Sequence, residues 1–233
     1  MSVKSNILIC GTGASGSSGV FEYLNSLDSI CGEKRELKQL IRRNIYSSWV
    51  RNKYKNTAQY KAQMKIVIEK LIGSRDKPLI LNNSISCLQL RGIQLLDNFK
   101  TVCVIRDPRS TWIAWQTEWV NRQGNKKWSN CSDPIGAFII SYRKCMFKFF
   151  SEYMKVNNKE DILVVNFEDF VLRSECRDKV LKFLDLDFKD SDIDAKDFLR
   201  PKDKSIFVHK YWNNKAEIRR IKKELSGYCH SQV

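Results

Sequence analysis

The stretch Asn6-Ile7-Leu8-Ile9-Cys10-Gly11-Thr12-Gly13-Ala14-Ser15-Gly16-Ser17-Ser18 decides how the rest of the chain is read. A short apolar run, Ile7 to Cys10, passes at once into a segment with glycine at 11, 13 and 16. Val20, Phe21, Leu24 and Leu27 then recur at the helical period. The succession is strand, glycine loop, helix. Glycine lets the backbone curl and approach a ligand closely, and the first amides of a helix point outward without intrahelical partners, which makes an anion site. Phosphate is the guest such a loop suits best; the competing reading is a tight turn that binds nothing.

Three nucleotide chemistries use a loop of this kind. A triphosphatase needs Lys directly after the last glycine, and Ser17 stands there. A dinucleotide site needs the G-x-G-x-x-G spacing, which Gly11, Gly13 and Gly16 satisfy, plus an acidic residue about 20 positions on for the ribose. Glu33 can supply that residue. A hydroxyl-rich loop without lysine suits a 5′-phosphosulfate, which carries less charge than a triphosphate and needs no metal. We favour the third reading, although the glycine spacing alone leaves the second open.

Working outward, further apolar runs predict strands at 78–82, 101–105 and 161–167, with a short strand edge at 29–31. Their Val and Ile content with little alternation suggests burial on both faces, as in a parallel sheet. Helical periodicity marks 17–27, 37–55, 58–72, 85–98, 110–122, 134–156, 174–184 and 214–225. Alternating strands and helices predict an α/β fold, a three-layer sandwich around a central parallel sheet with ligands at the strands' carboxyl ends. No repeat or Pro/Gly-rich linker divides the sequence, so one domain over 1–233 is expected.

With 233 residues and 42% hydrophobic composition the chain can bury a substantial core. Its formal net charge of +15 favours anionic partners. Of these, nucleic acid lacks support, since no zinc-finger or RNA-recognition signature is present. The eight cysteines contain no C-x-x-C pair, and the only histidines are His209 and His230, which speaks against a metal centre. The N-terminal apolar run is too brief for a signal peptide or a membrane span, so no transmembrane segment and a cytoplasmic location are expected.

A second anchor follows the run 101–105: Arg106-Asp107-Pro108-Arg109-Ser110, leading into a helix with Trp112, Trp115 and Trp119. Pro108 helps start that helix and leaves Arg106 at the strand's carboxyl end, where a guanidinium can hold phosphate bidentately. With the glycine loop, this segment resembles the PAPS-dependent sulfotransferase family, of the carbohydrate type, across nearly the full length. Val164-Val165-Asn166-Phe167-Glu168-Asp169-Phe170 and Val180-Leu181-Lys182-Phe183-Leu184 add to the likeness, as do Arg200-Pro201-Lys202-Asp203-Lys204-Ser205 and Lys210-Tyr211-Trp212. The resemblance implies a P-loop NTPase-like sulfotransferase fold and a cofactor, 3′-phosphoadenosine 5′-phosphosulfate (PAPS), leaving as adenosine 3′,5′-bisphosphate. It further implies that Thr12, Gly13, Ala14, Ser15, Gly16, Ser17 and Ser18 bind the 5′ side. Arg106 would bind the 3′-phosphate, with Lys204, Ser205 and Lys210 in a loop that covers it.

Two departures matter. Many family members carry Lys or Arg where this chain has Ala14, so that charge must come from elsewhere, from Arg35, Lys34 or the C-terminal loop. The family's serine eight positions after the arginine is Ala114 here, and Ser110, one helical turn earlier, can stand in. Sulfuryl transfer also benefits from a base that takes the acceptor's proton. Glu33 is the first choice, by likeness to carbohydrate sulfotransferases, and Glu36 the reserve; either can equally be a solvated surface charge. The basic, aromatic-rich region 34–65 suits a saccharide or other small acidic acceptor, while the three tryptophans fit a core-packing role first.

Overall fold

The structure, a computed structural model, describes residues 5–27, 29–33, 77–83, 98–116, 131–186, 208–210 and 212–229. Five parallel strands form one sheet: β1 (Asn6–Gly11), β2 (Cys31–Glu33), β3 (Leu79–Asn83), β4 (Phe99–Ile105) and β5 (Ile162–Asn166), in the order β2-β3-β1-β4-β5. All predicted strands are present, each within two residues of its expected ends. Register pairs Cys10 with Asn83 on one side of β1 and with Cys103 on the other.

Alternation along the strands feeds two cores, as burial of both faces requires. Leu8, Cys10, Leu79, Leu81 and Cys103 face a layer made by α2 (Pro108–Ala114), α3 (Pro134–Met154) and α6 (Lys215–Glu224). Ile7, Ile9, Ile80, Val102 and Val104 face the opposite layer of α1 (Ser17–Asn25), α4 (Phe167–Leu172) and α5 (Ser174–Phe183). The expected three-layer sandwich is the observed one. One element differs: the chain turns helical directly at Phe167, where an extended strand and an acidic turn were expected. The predicted helices at 37–55 and 58–72 lie outside the described residues, as do residues 85–97 of the helix expected at 85–98 and residues 117–122 of that expected at 110–122.

Side-chain caps set where the helices begin. Asp107 accepts from Arg109 N at the start of α2, and Asp133 accepts from Gly136 N at the start of α3; both helices also have proline in the first position. β1 sends its chain into α1 on one face, whereas its neighbour β4 sends its chain into α2 on the other. A crevice therefore opens between the carboxyl ends of β1 and β4, where Gly11 pairs with Val104.

Candidate active site

The glycine loop lies in that crevice. Gly11 has no room for a side chain, since a Cβ there would lie 1.9 Å from Ser15 Oγ and 2.9 Å from Val104 O. Gly13 (φ 74°), Ala14 (φ 49°) and Gly16 (φ 86°) adopt the left-handed conformation, a curl that gathers successive amides into a concave nest for an anion. Gly16 caps α1, where neither a side-chain cap nor an acidic residue occupies the first turn, so the helix itself supplies nothing that neutralises its positive end. A Cβ on Gly16 would stand 2.2 Å from the Phe167 ring. Ser15 Oγ and Thr12 Oγ1 are buried and lack a hydrogen-bond partner among the described residues. Two such hydroxyls in an anion nest are suited to a bound phosphate or sulfate.

Arg106 reaches this loop from the end of β4. Its Nη1 donates to Ala14 O at 3.3 Å, its guanidinium lies 5.1 Å over the Phe167 ring, and its Nε stands 4.0 Å from Glu168 Oε1. Tyr142 holds the same turn by donating its hydroxyl to Arg106 O at 2.8 Å. The two anchors, 92 positions apart in sequence, are thus in contact.

The rest of the Arg-Asp-Pro-Arg segment is structural. Arg109 binds Asp107 through two nitrogens, at 2.9 and 2.6 Å, and both side chains are buried. Burial pushes the Asp107 carboxyl up, but the hydrogen bonds and charge of Arg109 outweigh it and hold the group below its ordinary value. Ser110 is fully buried, with Oγ 2.9 Å from His209 Nδ1, so its hydroxyl meets the C-terminal segment. Burial first, then the Arg109 charge, lower His209 to about 4, leaving the ring neutral at pH 7.

Glu33 ends β2, and because β3 separates β2 from β1 its backbone lies two strands, about 10 Å, from the loop strand. The same strand order tells against the dinucleotide reading, in which β2 lies directly beside β1. Lys210 is exposed in the 3₁₀ turn Val208–Lys210 that carries His209. Arg35, Glu36, Lys204 and Ser205 lie outside the described residues, as do Lys34 and Trp119. Trp112 is core, donating to Glu217 Oε2 at 3.0 Å, as expected of its spacing.

Sequence reasoning assigned no role to three residues that the fold brings here. Phe167 packs beneath both Gly16 and Arg106. Glu168 is fully buried, accepts from Asp107 N at 3.2 Å, and has Oε2 without a hydrogen-bond partner among the described residues. Burial pushes its carboxyl above the ordinary value, against the pull of backbone hydrogen bonds and the Arg106 charge. Asn82, from β3, donates to Ser18 Oγ at 3.3 Å at the start of α1. The quoted segment 164–170 held the signal for the first two, an acidic residue directly after a strand. Beside Arg106 a cavity of about 480 Å³ opens, lined among others by Tyr142, Asn166, Asp169 and Tyr228. Among the described residues no group of His, Cys, Asp or Glu is arranged to hold a metal ion.

Comparisons with known proteins agree with this fold. Among solved structures, the sulfotransferase domain from the curacin biosynthetic pathway superposes with TM-score 0.60 at 16% identity, covering 96% of this chain and 98% of that one. The sulfotransferase domain of the Synechococcus PCC 7002 olefin synthase gives 0.60 at 12% identity, covering 100% and 98%. Mouse sulfotransferase SULT7A1, solved in complex with PAP, gives 0.58 at 11%, covering 97% and 85%. No curated protein matches the sequence closely enough to count as a relative. The family model described as "Sulfotransferase domain" matches residues 4–227, and the chain therefore belongs to the sulfotransferase-domain family.

Proposed function

We propose that this chain transfers a sulfuryl group from PAPS to a hydroxyl or amine of a saccharide or similar small acceptor, releasing adenosine 3′,5′-bisphosphate. The observation that carries the reading is Arg106 Nη1 at 3.3 Å from Ala14 O, which puts a permanent cation against a nest whose two buried hydroxyls lack partners among the described residues. That the mouse neighbour was solved with PAP supports the choice of nucleotide. PAPS supplies the activated sulfuryl group.

The protein's part is positioning and charge stabilisation, which dominate in-line transfer of this kind. In this reading the amides of 12–18, with the Thr12 and Ser15 hydroxyls, hold the 5′-phosphosulfate. Arg106 holds the 3′-phosphate. Glu168 and Tyr142 fix the Arg106 turn through backbone contacts. Lys204, Ser205 and Lys210 close over the nucleotide from the C-terminal side. Glu33, with Glu36 in reserve, accepts the acceptor's proton, and Arg35 lends charge to the same loop. A cytoplasmic setting suits eight cysteines without paired spacing.

The test is thermal stabilisation by adenosine 3′,5′-bisphosphate. At a hundred times its dissociation constant the nucleotide adds about 2.7 kcal/mol, raising Tm by about 5–10 °C in a chain of this size. Arg106→Ala should abolish the shift. An undiminished shift in that variant removes Arg106 from the site. No shift in the native protein, with salt-steep stabilisation by duplex DNA instead, returns the chain to the nucleic-acid reading.

A further inference from the structure

The outward side of α3 touches the site described above only through Phe150, and it is unusually apolar for a surface. Ile140, Phe147, Phe150 and Met154 are 53%, 76%, 41% and 68% exposed. At 3.6 residues per turn the four fall within an arc of about 80° and extend about 21 Å along the helix. They therefore form one stripe, whereas the buried Phe138, Tyr142, Met146 and Phe149 face the core. Lys144, Lys148 and Lys155, all exposed, form a second row directly beside the stripe. Between 134 and 155 the basic residues are Arg143, Lys144, Lys148 and Lys155, against a single acidic one, Glu152, which is half-buried. Arg143 lies within the arc but turns its guanidinium to Glu224 O at the end of α6.

We propose that this face of α3 docks on an anionic lipid bilayer surface, with the aromatic and Met side chains entering the acyl boundary and the lysine row meeting the headgroups. Contiguous exposed apolar side chains mark interaction surfaces, and an apolar stripe flanked by lysines is the pattern of helices that lie in the interface plane. Spanning is excluded for α3, because no described helix is long and apolar enough to cross a membrane. The charge pattern tells against a second copy as occupant: antiparallel face-to-face pairing would bring like lysine rows together, and in either sense the chains each carry +15. An anionic surface neutralises both. Phe150 also lines the cavity beside Arg106, so docking sets that opening against the bilayer. The inference does not rest on sulfuryl transfer.

Co-sedimentation of the full chain with vesicles tests it. Vesicles of phosphatidylcholine mixed with phosphatidylglycerol should pull the protein down, and phosphatidylcholine alone should not. Phe147→Ser with Met154→Ser should weaken binding about tenfold or more, since affinity scales with buried apolar area. Lys144→Glu with Lys148→Glu and Lys155→Glu should weaken it about a hundredfold and flatten its salt dependence. All five side chains are exposed, so Tm should stay at the native value. The inference is overturned if the native chain stays in the supernatant with anionic vesicles, or if the Phe147/Met154 variant binds them as the native chain does. It is equally overturned if gel filtration shows a native dimer that this variant reduces to a monomer, which would assign the face to a second copy.

Discussion

Gly16→Ala places a methyl group where the loop has no space for one, on backbone held at φ 86° and 2.2 Å from the Phe167 ring. The left-handed conformation costs an alanine about 1–2 kcal/mol. Displacing a ring that also lies under the Arg106 guanidinium adds about 1–3 kcal/mol, as overpacking does. Urea unfolding should therefore show a loss of about 2–5 kcal/mol with an unchanged m-value. The two parts separate in a double-mutant cycle. Phe167→Ala removes the ring, so in its background Gly16→Ala should cost only the conformational part, leaving a coupling energy of about 1–3 kcal/mol. A Gly16→Ala loss under about 0.5 kcal/mol, or no coupling with Phe167, would refute the steric account of this turn.

Asp107→Asn leaves the Arg109 guanidinium buried without its charge partner, and equilibrium unfolding should reveal a loss of about 3–5 kcal/mol. His209, lowered to about 4 in the fold from the ordinary 6.5 of a histidine, stays neutral in the folded chain while the unfolded chain takes up a proton. Folding stability should fall as pH drops from 6.5 toward 4, by up to about 3 kcal/mol from this group, and His209→Gln should remove that part of the slope in pH-dependent melting. Glu33→Gln should preserve stabilisation by adenosine 3′,5′-bisphosphate and lose turnover in a sulfate-transfer assay; retained turnover would return Glu33 to the surface.

The β1–loop–α1 unit was legible in the sequence because every part of it is local: an apolar run, glycines at fixed offsets and a helical stripe all lie within 27 residues. The strands were legible for the same reason. Strand order was not, since nothing in the spacing of residues 31–83 says that β3, not β2, lies beside β1. That order sets how far Glu33 stands from the loop. Phe167 and Glu168 could be quoted as a motif, yet their contacts with Gly16, Arg106 and Asp107 depend on β5 pairing with β4. Ser110 shows the opposite case. Helical spacing alone makes it a plausible ligand, and only the packing of the C-terminal turn reveals that its hydroxyl also meets His209.

Glu217 Oε2 accepts from Trp112 at 3.0 Å and from Trp212 at 3.0 Å, one indole on α2 and the other just ahead of α6. A single oxygen thus rivets the last helix to the helix that follows Arg106, and the two bonds are made or lost together. Peeling of the C-terminal region should consequently proceed as one snap rather than as gradual fraying, and both indoles should change their emission in that same step.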